Sequence, residues 1–364
     1  MSKDLSVARE ITFKRIEEDL RDSYNADFDI NLSKLVFFSD LHKGTKKKND
    51  SFMQNEVACC YAFDHYFKEG FTLVQVGDSE EGWGFKIGKA LKKYDSTVLK
   101  FERKFFSEPG RYIRLYGNHD IKWRKKVKVE NILKPHLTND IDSELVVKPA
   151  LKLGEKIVVL HGQQGSLESD ILWKVAKGIV RFVTSIFFRT FGRKKKRAAK
   201  NPMVRHERDF LLNSWATKNH KLLIAGHTHR FIFGKKHSLS SVYKSLIDLS
   251  KKRRDELTDI EKIILDHSLS DMQSDFDELI SQIEKDLSDN KLNENCYFNI
   301  GAGVYSDGIT CIEIDKGTIR LVFWPNNKFK SGMLFDVNSG VKIFDPPERA
   351  VLFEDNLKVI LSEI

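Results

Sequence analysis

Side chains that bind metal ions recur in five short clusters along this chain. Asp40 and His42 flank Leu41, and Asp78 follows Gly77. Asn118, His119 and Asp120 stand together in a GNHD run. His161 precedes Gly162, and His227 and His229 flank Thr228 in GHTHR. A spacing of two puts both members of a pair on the same side of an extended segment. Carboxylate, imidazole and amide oxygen form a mixed donor set of borderline softness, suited to Mn, Fe, Zn or Co rather than to a thiolate-bound ion. Metal held this way acts as a Lewis acid and lowers the pKa of a bound water.

The elements that must position these residues follow one pattern. An apolar strand runs into a polar or Gly-containing loop at its C-terminal end. KLVFFSD at 34–40 leads into His42, and FTLVQV leads into Gly77 and Asp78. RYIRLY leads into GNHD, and strands at 156–160 and 221–225 lead into His161 and GHTHR. Open α/β sheets place their sites at such strand ends. Helical patterns fill 55–69 and 86–106, and the first 30 or so residues read as a charged helix and connector. After residue 295, CYFNIGAGVYSDGITCIEIDKGTIRLVFW reads as short strands joined by Gly turns.

This ordered set of motifs resembles the calcineurin-like metallophosphoesterase superfamily, over the span from Asp40 to Arg230 and onward through Phe323. The resemblance implies an α/β fold, a four-layer α/β/β/α sandwich with inserted helical segments. It also implies two adjacent divalent metal ions, with Mn first among the candidates. One would be held by Asp40, His42, Asp78 and His229. The other would be held by Asp78, Asn118, His161 and His227, with Asp78 bridging. A water activated between them would attack a phosphodiester or pyrophosphate in line. His119 would face the leaving group, Asp120 would orient His119, and Arg230 would touch a phosphate or close its loop. Within the superfamily the chain is similar to the branch of bacterial UDP-2,3-diacylglucosamine hydrolases, through SDLHKG, the His161–Gly162 form and GHTHR. It departs from that branch at His119, where those enzymes carry Arg, and in GDSEEGW, which keeps only Trp83 of an aromatic segment. The departures imply a relative acting on a different phosphodiester or pyrophosphate.

Domain organisation reads as an N-terminal helical extension (1–33) and a metallophosphoesterase domain (34–330). That domain carries a helical cap insertion (165–219) and a second helical insertion (235–295). Edge strands or a tail (331–364) end the chain. Of 364 residues, 41% are apolar, which suits a chain that folds around a core. Lys and Arg exceed Asp and Glu, 61 to 52, for a formal net charge of +9. That surplus favours an anionic phosphorylated substrate. Lys43, Lys46, Lys47 and Lys48 follow the first ligands and are candidates to attract it.

The segment 171–197 is amphipathic and basic. It offers Ile171, Leu172, Val175, Ile179, Phe182, Val183, Ile186 and Phe187 on one face and the RKKKR run beyond. Such a segment suits an anionic membrane surface or lipid, or ordinary packing. The charged N-terminus lacks an apolar signal core. The four cysteines show no disulfide or zinc-knuckle spacing. Both point to a cytoplasmic protein, peripheral on the inner membrane face if 171–197 binds lipid. Nucleic acid remains a partner through RKKKR and KKRR, although no base-reading motif is present. The alternatives are a soluble phosphodiesterase or nuclease, a protein or small-molecule phosphomonoesterase, and a non-catalytic metal-binding scaffold. Oligomeric state is left open.

Overall fold

The computed structural model describes residues 2–140, 142–164, 202–239, 292–326 and 348–364. The segment 171–197, a candidate for lipid contact, and most of the second insertion lie outside the described residues.

Two sheets face each other. One has seven strands in the order β13-β12-β11-β2-β3-β4-β5, and the other has six in the order β1-β6-β7-β8-β10-β9. In the first, β2 (Lys34–Phe38), β3 (Thr72–Val76), β4 (Tyr112–Leu115) and β5 (Val147–Lys148) run parallel. Three antiparallel strands extend it: β11 (Gly308–Asp315), β12 (Thr318–Pro325) and β13 (Ala350–Asn356). In the second, β7 (Ile157–Leu160), β8 (Leu222–Ala225) and β10 (Tyr297–Ile300) are parallel. Around them lie β1 (Tyr24–Ala26), β6 (Ala150–Leu153) and β9 (Phe231–Phe233).

The period of two along each strand builds the layers. Leu35 and Phe37 of β2 point between the sheets, where they join Val74, Val76, Val159 and Ile224 in one apolar cluster. Val36 and Phe38 point outward, beneath α2 (Glu56–Lys68) and α4 (Val98–Phe106), with Phe63, Tyr66 and Phe105. On the far side, Val158, Leu160 and Leu223 pack against Ile16 of α1 (Ser2–Arg21) and Leu212 and Trp215 of the helix Pro202–Lys218. The result is the expected α/β/β/α sandwich. Each fully buried large side chain in it contributes roughly 1.5–3 kcal/mol of apolar transfer free energy.

Several elements differ from the sequence reading. Residues assigned to an N-terminal extension are built into the sandwich. Beyond the packing of α1, β1 pairs in parallel with β6, and Trp215 donates its indole N–H to Glu17 at 3.0 Å. The helix Pro202–Lys218, expected within a cap, forms part of an outer layer. The pattern 86–106 is two helices, α3 (Ile87–Tyr94) and α4. Arg103 reaches back across the break to the carbonyl of Asp95. After β13 the chain ends in a helix, Leu357–Glu363. Asn356 caps it by accepting from the backbone N–H groups of Lys358 and Val359. Among the described residues no helix is long and apolar enough to cross a membrane.

Candidate metal centre

The ligand clusters stand where strand ends of the two sheets meet. Asp40, Asp78 and Asn118 follow the adjacent strands β2, β3 and β4. His161 and the pair His227 and His229 follow β7 and β8. The parallel ladder continues past the strands into the loops. The N–H groups of Asp40, His42 and Lys43 donate to the carbonyls of Gly77, Asp78 and Ser79, and Glu81 N–H donates to the carbonyl of Lys43.

Within this scaffold Asp40, His42, Asp78, His227 and His229 all adopt positive φ, between 49° and 69°. Asp and His enter this left-handed region more readily than most residues. Even so, each instance costs on the order of 1–3 kcal/mol and persists only where the surroundings enforce it. Two glycines permit the crowding. A Cβ on Gly117 would lie 2.3 Å from Asp78 Oδ1, and one on Gly226 would lie 2.0 Å from Ser39 Oγ.

The side chains converge into three overlapping groups. Asp40, His42 and His229 form one, Asp78, His161 and His227 form another, and His42, Asp78 and His119 form a third that links them. In the first, His229 Nε2 is 3.0 Å from Asp40 Oδ1 and 3.1 Å from His42 Nε2. His42 Nε2 is 3.5 Å from Asp40 Oδ1. Neighbouring ligands about 2.1 Å from a common ion stand roughly 3.0–3.5 Å apart, so the triangle fits one cation. Asp78 Oδ2 lies 3.1 Å from His161 Nε2 and 3.8 Å from His42 Nε2, and so faces the first two groups.

Unsatisfied atoms support the same fit. His161 donates from Nδ1 to the carbonyl of Val76 at 2.9 Å, which leaves Nε2 as the bare ligand nitrogen. Among the described residues, that Nε2 and the Oδ1 of Asn118 are buried without a hydrogen-bond partner. Isolated buried polar atoms are costly, and a cation beside either one would satisfy it.

The electrostatics agree. Burial alone would push His42 and His161 below the usual imidazole range. Asp40, Glu81 and Asp78 instead raise His42 to about 10, and Asp78 and Asp40 raise His161 to about 9. Burial would raise Asp40, but His161 and His229 hold it well below the usual carboxylate range. Burial and the charge of His161 depress His227, and burial depresses His229. The carboxylates therefore hold protons where divalent cations would sit, and metal binding would release them.

His119 lies beside the ligands. Its ring packs edge-on to His42 at 4.5 Å, and its backbone N–H donates to Asp78 Oδ1 at 2.7 Å. The expectation for Asp120 is corrected. Its oxygens accept from the backbone N–H groups of Gly117 and Ser79 at 2.6 and 2.9 Å. It staples two ligand loops together and does not orient His119. Burial and the charges of Asp78 and Glu80 raise it to about 6.

Glu81 takes the orienting role. Its Oε1 meets His119 Nδ1 at 3.0 Å, and its Oε2 lies 3.6 Å from His42 Nδ1. Burial opposes ionisation of Glu81, but the two histidines hold it far below the ordinary range. The sequence offers two glutamates in GDSEEGW and no mark of which one turns inward.

Arg230 donates to Asp209 at 2.9 Å, while among the described residues its Nε and Nη1 have no hydrogen-bond partner. Asp209, missed in the sequence reading, also accepts from Thr228 at 2.9 Å and Tyr297 at 2.7 Å, and so anchors the GHTHR loop. Lys43 is corrected as well. It is fully buried and paired with Glu102 and Glu80, away from any substrate. Lys46 pairs with Glu56, and Lys47 and Lys48 are exposed.

A family model described as calcineurin-like phosphoesterase matches residues 33–231, more than half of the chain. No curated protein matches the chain.

Proposed function

The chain belongs to the calcineurin-like phosphoesterase family, whose metal-dependent phosphoester hydrolysis is the premise from which we propose that it cleaves a phosphodiester or pyrophosphate. Asp40, His42, Asp78 and His229 would hold one divalent ion, and Asp78, Asn118, His161 and His227 the other, with Asp78 shared. When bound, the ions supply Lewis acidity at the phosphoryl group and a water of lowered pKa. Manganese is the first ion to test, with Fe, Zn and Co as alternatives.

The observation that carries the reading is the placement of His119. It is grouped with His42 and Asp78, one from each of the other two ligand groups, with Nδ1 engaged by Glu81. Glu81 fixes the tautomer and orientation. Nε2 is then the atom from which a proton reaches the departing oxygen. An alkoxide leaving group, as in a diester, gains most from such a proton, typically about 10²–10⁴-fold in rate. The ladder between the loops at 40–43 and 77–81 keeps these groups in register, so little reorganisation accompanies the reaction.

The test is Mn-dependent hydrolysis of a panel: bis(p-nitrophenyl) phosphate, p-nitrophenyl phosphate, a UDP-linked diacyl sugar and a single-stranded oligonucleotide. Turnover of the diester above the monoester, abolished by chelation and restored by metal, is the expected result. Preference for the monoester, or turnover indifferent to chelation, refutes the proposal. Among the diesters and pyrophosphates, the compound turned over best identifies the substrate class.

A further inference from the structure

Trp83 is 58% exposed although it stands at the rim of the centre. One face of its indole lies flat on His119, with ring centroids 4.3 Å apart and planes 7° from parallel. The indole N–H donates to the carbonyl of Asn118 at 2.8 Å, and the backbone N–H of Trp83 donates to Glu81 Oε1 at 2.9 Å. Ring and backbone are therefore both tied to residues of the site. A surface tryptophan serving only as a cover for His119 would need neither its second face nor a fixed ring plane. Here the covered face meets His119 and the outer face looks into solvent.

We propose that the outer face of Trp83 is a stacking platform for a nucleobase, so that the substrate of this centre is a nucleotide-type phosphoester. The proposal rests on the phosphoesterase reading and deepens it. An indole held rigid loses little entropy when a second ring stacks on it. The stack would run base, Trp83, His119, and His119 in turn packs on the ligand His42 at 4.5 Å. The sugar and phosphate chain of a nucleotide would span the offset between a base on Trp83 and a phosphoryl group at the metals. Stacking of a base on an aromatic side chain tolerates any base, because every base has a π-face. Trp83 would thus select for the presence of a base and not for its identity.

The experiment compares inhibitors that share a phosphate and differ in the base. Uridine 5′-monophosphate, adenosine 5′-monophosphate and ribose 5-phosphate compete against bis(p-nitrophenyl) phosphate, with the Mn-loaded protein and its Trp83→Ala and Trp83→Phe variants. A short single-stranded oligonucleotide forms a further arm, to separate free nucleotides from strand ends. Both monophosphates should bind roughly 10-fold or more tighter than ribose 5-phosphate to the parent protein. Trp83→Ala should bring that ratio close to one, and Trp83→Phe should keep most of it. The ratio cancels any effect of the variant on His119 or the metals, because ribose 5-phosphate meets the same centre. As a direct readout, quenching of tryptophan fluorescence by the monophosphates should be larger in the parent than in Trp83→Phe. A ratio near one in the parent, or one unchanged by Trp83→Ala, overturns the platform and leaves the phosphoesterase reading standing. Absence of binding by every phosphate compound overturns both.

Discussion

Two buried clusters of charge lie side by side in this protein, built from alternating residues of the same two loops. His42, Asp78 and Glu81 face the metal centre, while their neighbours Lys43 and Glu80 face away. There, Lys43 pairs with Glu102 and Glu80, and Arg114 pairs with Glu80 and with Glu102 at 3.1 Å. Tyr112 donates to Glu102 at 2.7 Å, and Trp123 donates to Glu80 at 2.9 Å. This second cluster sets two cations against two carboxylates, so its charges are closed on one another, although among the described residues Glu80 Oε1 and Arg114 Nε make no hydrogen bond. The first has carboxylates crowded among imidazoles, strained backbone and orphaned ligand atoms. Both are buried, and both perturb the ionisation of their members. The difference teaches that burial and perturbed ionisation do not by themselves mark a site. Metal-type donors gathered on left-handed backbone, with no Lys or Arg among the described residues to pair them, do.

The comparison breaks first at Asp78. Asp78→Asn should lower turnover by at least about 10³-fold, since the ligand shared by both groups is removed. Metal analysis should show loss at both positions. Two metals still bound at full activity would deny Asp78 its shared role.

In the closed cluster the cost should fall on stability. Arg114→Met leaves Glu80 and Glu102 short of a partner and should cost about 3–5 kcal/mol. Denaturant unfolding measures this. Activity per folded, metal-loaded molecule should stay within a few-fold of the parent. A variant of parental stability with lost turnover would mean that the two clusters are not separate.

Glu81 sharpens the boundary, since it meets His119 Nδ1 at 3.0 Å and lies 3.6 Å from His42 Nδ1. Glu81→Gln should lower kcat by about 10–100-fold, with KM and metal content nearly unchanged. A parental kcat would remove Glu81 from the site.

The smallest effect is an acid limb. Burial opposes ionisation of Glu80, but Arg114 and Lys43 bring it down to about 2, from an ordinary 4.5. The native state therefore binds the Glu80 proton less readily than the unfolded chain does. This contribution to stability is full above pH 4.5 and is lost as pH falls through about 2. Unfolding measured from pH 5 downward should show a shallower decline in Arg114→Met than in the parent, because the ion pair that lowers Glu80 is gone.

Much of the fold was legible in the strands. Runs such as KLVFFSD and FTLVQV are apolar on both faces, as strands between two layers must be, and each ends in a ligand loop. The short strand β1 was not legible. YNA has no pattern of its own and is a strand only because β6 lies beside it. The C-terminal helix was also missed, as its start depends on the Asn356 cap following directly on an edge strand.

For the site, the sequence by itself determined the donor types and their attachment to strand ends, because chemistry and the strand period are local properties. Which of two adjacent charged residues turns inward was decided only by the tertiary structure. His42 and Lys43, Glu80 and Glu81, and His119 and Asp120 are neighbours with opposite fates. The choice is made by left-handed backbone at the ligands and by hydrogen bonds between the loops at 40–43 and 77–81. A step of one residue reverses the direction of a side chain in an extended segment. No local preference is strong enough to set that direction without the partner strand to hold it.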